Sequence, residues 1–142
     1  LGMTAFQPLQ FEYSVSRWSD KLQARCERVV LEAAKQSKRA RVPGILPIQS
    51  YSEWSASNCN LQQGDLCVLA DQFGLPVSHI HEKASRVKRF ILIVGPEGGL
   101  SDSENKLAQQ HNIRPVRLAE PILRIETAAI AGMAALNQTG QA

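Results

Sequence analysis

Two stretches of this 142-residue chain combine residue types that could do chemistry. The first is Gly95-Pro96-Glu97-Gly98-Gly99-Leu100-Ser101, and the second is Ile122-Leu123-Arg124-Ile125-Glu126-Thr127-Ala128. Glycines permit close backbone approach to a ligand, Pro96 fixes its own φ, and Ser101 followed by Glu104 has capping-box spacing. The first stretch therefore reads as a tight loop entering a helix, where free N–H groups can meet a polar ligand. It lacks the terminal Gly-Lys-Ser/Thr of a P-loop, and its glycines do not fit Gly-x-Gly-x-x-Gly. Glu97 between glycines reads either as a turn residue or as an acid–base group. Arg124 could bind a phosphate or form a surface ion pair, and Glu126 near a helix start is favoured by the dipole with or without a ligand.

A third group is basic. Arg17, Lys21, Arg25 and Arg28 share one face of a helix expected over Arg17 to Gln36, and from Arg17 to Arg41 eight basic residues meet three acidic ones. That local charge of +5 exceeds the +3 of the whole chain, so positive charge is concentrated where a phosphate backbone could lie. A solvated helix face with pairing such as Arg28 to Glu32 is the competing reading. His79 and His81 lack an evident third ligand, and His111 reads as a helix-end residue. Cys26, Cys59 and Cys67 show no Cys-x-x-Cys spacing, so no metal site or disulfide framework is expected and the thiols suit a reducing cytoplasm.

These groups need a frame. Phe90 to Val94 is a short apolar, β-branched run, expected as a strand buried on both faces. Leu66 to Ala70 is a second such run, followed by Asp71, Gln72 and Gly74 as a loop, and Pro115 to Leu118 is a third. Thr4 to Gln10 and Ile45 to Ile48 are candidate strands despite Pro8 and Pro47. Helices are expected over Arg17 to Gln36, with Trp18, Leu22, Cys26, Val29 and Ala33 as a buried stripe, over Tyr51 to Ala56 capped by Ser50 and Glu53, over Asp102 to His111, and over Ile125 to Gln138. Asn58 to Gly64 reads as connection, and Val77 to Val87 is ambiguous. Strands alternating with helices predict an α/β fold with a parallel sheet covered by helices, in one domain. A 44% hydrophobic share with 20% charged residues is ordinary for a globular chain, and no apolar run is long enough to span a membrane. The chain begins Leu1-Gly2 without an initiator, as a fragment would.

The pair of motifs, Gly-Pro-Glu-Gly-Gly-Leu-Ser and then Ile-Leu-Arg-x-Glu-Thr-Ala, resembles the signature of the RsmE family. Leu1-Gly2 and Glu32-Ala33-Ala34-Lys35-Gln36-Ser37-x-Arg39 up to Val42-Pro43 are similar to that family as well. The resemblance implies a SPOUT-type fold with a C-terminal trefoil knot over residues 1–142, without the family's N-terminal PUA-like domain and the helix before Leu1. It implies S-adenosylmethionine-dependent methylation of N3 of a uridine in small-subunit ribosomal RNA, with ribosomal RNA or the small subunit as substrate and a homodimer as the assembly. The cofactor would be held by Leu69, Ala70, Val94, Gly95, Pro96, Gly98, Gly99, Leu118, Ile122, Leu123, Glu126, Thr127 and Ala128. Arg124 and Glu97 would be catalytic, and Arg17, Lys21, Arg25, Arg28 and Arg39 would meet RNA.

The family's Leu-Gly-x-Arg before the second motif is here Leu118-Ala119-Glu120-Pro121, so the third loop is expected to differ in shape. A catalytically weak RNA- or cofactor-binding module of the same fold is the alternative, and an unrelated nucleotide-binding domain a third reading. Gly132 with Ala128, Ala131 and Ala135 is expected to mark subunit or knot packing.

Overall fold

The strand Asp65–Pro76 (β5) is the centre of the main sheet in the computed structural model, which describes residues 2–57, 64–80 and 87–139. It lies between Arg89–Val94 (β6) and Arg114–Arg117 (β7), both parallel to it. Alternation along β5 sends its side chains to two cores. Cys67 and Leu69 join Phe11, Tyr51, Trp54, Ile93, Ala108 and Ile113, while Leu66 and Val68 join Ile80, Val116 and Leu136. Both faces of the sheet are thus covered, and β6 follows suit: Ile91 and Ile93 go to the first core, Phe90 and Leu92 to the second. Asp65 and Arg89, register partners at the start of the two strands, also form an ion pair that fixes this alignment.

Ahead of this sheet the strand expected over Thr4 to Gln10 is divided around Pro8, and of that expected over Ile45 to Ile48 only Ile45 is paired, short strands forming on either side of residues 46–48. Ala5–Phe6 (β1) pairs with Gly44–Ile45 (β3), and Leu9–Gln10 (β2) with Gln49–Ser50 (β4), both in parallel. Pro8 and Pro47 sit in the gaps, where a residue without an N–H cannot donate to the ladder. Gln7 bridges the interruption, its amide donating to Pro47 O at 2.8 Å and to Gln49 Oε1 at 3.1 Å.

Helix α1, Asp20–Gln36, follows β2 and precedes β3 in the chain. It starts three residues later than expected because Ser19 accepts from Leu22 N–H and caps it. Its expected buried stripe is only partly buried. Leu22 and Cys26 are half-covered, but Val29 is 58% exposed, Ala33 is exposed, and Ala34 is the buried residue. The helix meets the remaining described residues mainly at the two-residue strand β3, too small a surface to cover a whole stripe.

Helix α2, Tyr51–Ser57, begins as expected with Ser50 and Glu53 bonding reciprocally. Hydrogen bonding from Ser50 holds the Glu53 carboxyl below its usual range. Asn58 to Gln63 and residues 81–86, His81 included, lie outside the described residues. Val77–Ile80 forms one 3₁₀ turn bearing exposed His79. Helix α3, Asp102–Gln110, ends at His111 with Asn112 in the left-handed region, φ 54°, a usual helix stop. Helix α4, Ile125–Thr139, packs on β6, where a Cβ on Gly132 would lie 2.6 Å from Leu92 Cδ2 and 3.3 Å from Leu118 Cδ1. The small residue therefore seats the helix on its own sheet.

Candidate functional site

Register brings the strands that precede the two motifs to a common level. Ala70 is opposite Val94 on one side and Val116 on the other, so three parallel strands deliver their carboxyl ends to one edge of one sheet. The Gly95 loop leaves that edge after β6, and the Leu118 to Arg124 loop leaves it after β7. Ligands of open α/β sheets bind at such edges.

The segment after Ala70 differs from the simple loop expected. Val116 is the register partner of both Ala70 and Leu75, so residues 71–74 leave the ladder and pairing then resumes with Pro76 against Arg117. Two features hold the insertion. Asp71 Oδ1 accepts from Phe73 N–H at 2.8 Å, and Gly74 lies so close to β7 that a Cβ would fall 2.4 Å from Val116 N. Only a residue without a side chain fits there.

The loop after β6 is closed by Gly99 N–H donating to Pro96 O at 2.9 Å, with Gly99 at φ +74°. Glu97 and Gly98 are the turn's central residues. A Cβ on Gly98 would lie 3.0 Å from Tyr13 Cβ, and one on Gly95 2.7 Å from Leu100 Cδ1. Glu97 is exposed, and its carboxylate pairs with no described residue. The capping box at α3 is complete: Ser101 Oγ accepts from Glu104 N–H, and Glu104 Oε2 from Ser101 N–H at 2.9 Å. This helix start is thereby largely satisfied by its own residues.

The start of α4 is not. Arg124 occupies the cap position, its carbonyl accepting from Ala128 N–H at 2.8 Å, and no side chain caps the first turn. The N–H groups of Ile125, Glu126 and Thr127 remain available, as at any uncapped helix start. The Arg124 side chain is exposed and pairs with no described residue, which removes the ion-pair reading for the described part of the chain. Glu126 and Thr127 are exposed, Ala128 is buried beneath them, Leu123 is half-buried and Ile122 is 80% exposed. Ala119 keeps a negative φ, so its replacement of a glycine strains nothing, and Glu120 pairs with Arg117 at 3.4 Å.

Among the proposed apolar lining, Ala70, Val94, Pro96 and Leu118 are half-exposed near the edge, whereas the Leu69 side chain is in the core with Tyr51. Among the described residues no three His, Cys, Asp or Glu cluster as a metal site would need. Lys21, Arg25 and Arg28 are exposed on α1, with Arg25 and Arg28 beside a groove of about 480 Å³. Arg17 precedes the cap, Arg39 is half-buried beyond the helix, and Glu32 pairs with Lys35 rather than Arg28. Sequence spacing does not reveal Tyr13, Phe73 or Gly74 as neighbours of the loops, because each is placed there by register or by a contact distant in the chain.

Residues 1–137 match the RNA methyltransferase domain family. The chain belongs to that family. Within it the RsmE resemblance holds: the ribosomal RNA small subunit methyltransferase E of Synechocystis is 33% identical over 139 residues, covering 96% of this chain and 45% of the relative. The protein of that name from Bacillus subtilis is 30% identical, with 96% and 56% covered. The Neisseria gonorrhoeae methyltransferase E, crystallised with S-adenosyl methionine, superposes with a TM-score of 0.81 at 29% identity over 96% of this chain and 55% of that one. The chain spans about half the length of the curated relatives it matches. Mixed α/β architecture with parallel strands is thus common to this RNA methyltransferase domain and its structural neighbours.

Proposed function

We propose that this domain binds S-adenosylmethionine at the shared strand edge and directs its methyl to N3 of a uridine in small-subunit ribosomal RNA. The observation that carries the reading is the placement of Ala70 between Val94 and Val116, which brings both motif loops to one side of the sheet. The fit to the cofactor rests on the chain's own groups. Gly99 leaves backbone unshielded beside Gly95 and Gly98, the uncapped start of α4 offers N–H donors, and Val94, Leu118, Ile122 and Leu123 offer apolar surface for an adenine. Ala70, Pro96, Gly99, Glu126, Thr127 and Ala128 complete the set we assign, with Leu69 contributing through its backbone.

When bound, S-adenosylmethionine would supply an electrophilic methyl on a sulfonium, with the thioether as leaving group. Uracil N3 carries a proton that must leave before its lone pair can form the new bond. Arg124 donates to a uracil carbonyl, drawing electron density from the ring and making N3–H more acidic. Glu97, without a partner among the described residues, is the group we assign to accept that proton, its carboxylate offsetting the sulfonium charge beforehand. Lys21, Arg25 and Arg28, with Arg17 and Arg39 nearby, meet the RNA backbone. We assign the domain to the cytoplasm as a homodimer, with its three loops in the trefoil-knotted arrangement that the family resemblance implies.

Calorimetric titration tests the reading. S-adenosylmethionine or its demethylated product should bind, and ATP and NAD should not. Small subunits lacking the modification should then gain a labelled methyl from the whole protein, and Arg124→Ala should abolish that gain. Absence of cofactor binding would refute the enzyme; unchanged transfer by the variant would refute the role of Arg124.

A further inference from the structure

Two exposed aromatic side chains border the strand edge, and nothing in the cofactor assignment uses them. Phe73 is 88% exposed, so its ring is open to a binding partner. Its backbone is nevertheless fixed: Asp71 Oδ1 accepts from its N–H, the next residue lies against the backbone of Pro115 and Val116, and pairing with β7 resumes at Leu75. The ring is thus presented on a rigid insertion three residues beyond Ala70, on the β7 side of β5. Tyr13 is 50% exposed, with its Cβ against Gly98 in the loop after β6. Its turn is held by Ser14 N–H donating to Phe11 O at 3.2 Å, Phe11 N–H to Ser14 Oγ at 3.0 Å, and Glu12 N–H to Glu104 Oε1 at 2.9 Å. Two fixed backbones therefore carry aromatic rings, one on the insertion of β5 beside β7 and one against the loop after β6.

Resting on the reading of this domain as a uridine-N3 methyltransferase, we propose that Phe73 and Tyr13 are stacking surfaces that receive the target uracil and an adjacent base of single-stranded RNA. The chemistry requires some such surface. N3 lies on the pairing edge of uracil, so a paired uridine presents no accessible N3 and the base must be taken out of its helix and stack. A lost stack is replaced at lowest ordering cost by aromatic faces already held in place, the means by which single-stranded RNA is commonly bound. The basic face of α1 supplies charge without orientation; the two rings supply orientation, Tyr13 beside the glycine loop and Phe73 on the insertion after Ala70.

The test compares substitutions that keep apolar volume but remove the aromatic face. Phe73→Leu in the whole protein should lower kcat/KM for RNA by about fivefold to 150-fold, the worth of one base–aromatic stack, with cofactor affinity and melting temperature unchanged. Phe73→Trp should restore the rate. Tyr13→Leu should act in the same direction, and Tyr13→Phe should retain activity because the face, not the hydroxyl, is used. Wild-type turnover by Phe73→Leu would overturn the proposal, since an apolar contact with another protein chain would tolerate leucine. Loss of cofactor binding in Phe73→Leu would overturn it as well, by assigning the ring to the adenosyl pocket. A wild-type protein that binds cofactor but methylates no RNA would refute the underlying function, an outcome visible before any variant is made.

Discussion

The carboxylate of Glu104 joins segments 92 residues apart: Oε1 accepts from Glu12 N–H and Oε2 from Ser101 N–H, each at 2.9 Å. One buried side chain thus caps α3 and anchors the turn that places Tyr13 against Gly98. Glu104→Ala would leave two backbone donors without these acceptors, at about 1–3 kcal/mol for each that stays buried. A loss of about 2–4 kcal/mol is expected in urea unfolding, with a smaller loss for Glu104→Gln, which keeps one acceptor. Equal stability of the alanine variant and wild type would show that water replaces both bonds at no cost.

Gly74 has no slack. An added Cβ would meet Val116 N at 2.4 Å, Pro115 C at 2.5 Å and Pro115 O at 2.7 Å, all backbone atoms of a paired strand. Gly74→Ala is expected to cost about 3 kcal/mol, the upper end for overpacking, and to weaken cofactor binding by moving the insertion away from β7. Gly44→Ala is the control, since its Cβ would meet nothing within 4 Å and should change stability by less than about 0.5 kcal/mol.

The contrast between these two glycines explains what the sequence could reveal. The Gly95 loop and the Ser101 cap were legible because their signals are local: an apolar run, three glycines, and a serine three residues before a glutamate. Gly74 looked like an ordinary loop glycine, because its meaning comes from register against Val116, which no nearby residue encodes. Helix α1 was legible as a helix from its period, but the period says nothing of whether a partner covers Val29. Tyr13 and Phe73 carry no local pattern at all, and only tertiary placement sets them at the site edge.

Two buried groups set an alkaline limit on stability. Burial pushes the Cys67 thiol from an ordinary 9.0 up to about 12. Burial first, then the neighbouring Cys67 and Glu104, pushes Tyr51 from 10.0 up to about 12. Both folded-state values are raised, so the folded chain holds these protons more tightly than the unfolded one. Their contribution is complete below pH 9.0 and falls as pH rises from there towards about 12. Urea midpoints measured between these limits should fall steadily, and less so in a Tyr51→Phe, Cys67→Ala double variant. The Tyr51 hydroxyl also has no hydrogen-bond partner among the described residues, so Tyr51→Phe alone is expected to be neutral or stabilising by about 1 kcal/mol near neutral pH. Clear destabilisation by that change would contradict the burial of an unpaired hydroxyl.

On α1, Lys21, Arg25 and Arg28 lie at helical spacing on one exposed face, and none of them pairs with a described carboxylate. Unpaired cations on a fixed helix can replace counterions along an RNA backbone, and that exchange is read directly in the salt dependence of binding. Each phosphate neutralised on a single strand contributes about 0.7 to the slope of log K against log salt, so replacing all three with alanine should flatten the slope by about 2. Cofactor affinity should stay at the wild-type value, because these residues lie on a helix remote in sequence from the motif loops and none takes part in closing them. A slope that does not move would mark this face as ordinary solvated surface and shift the search for RNA contacts to the strand edge itself.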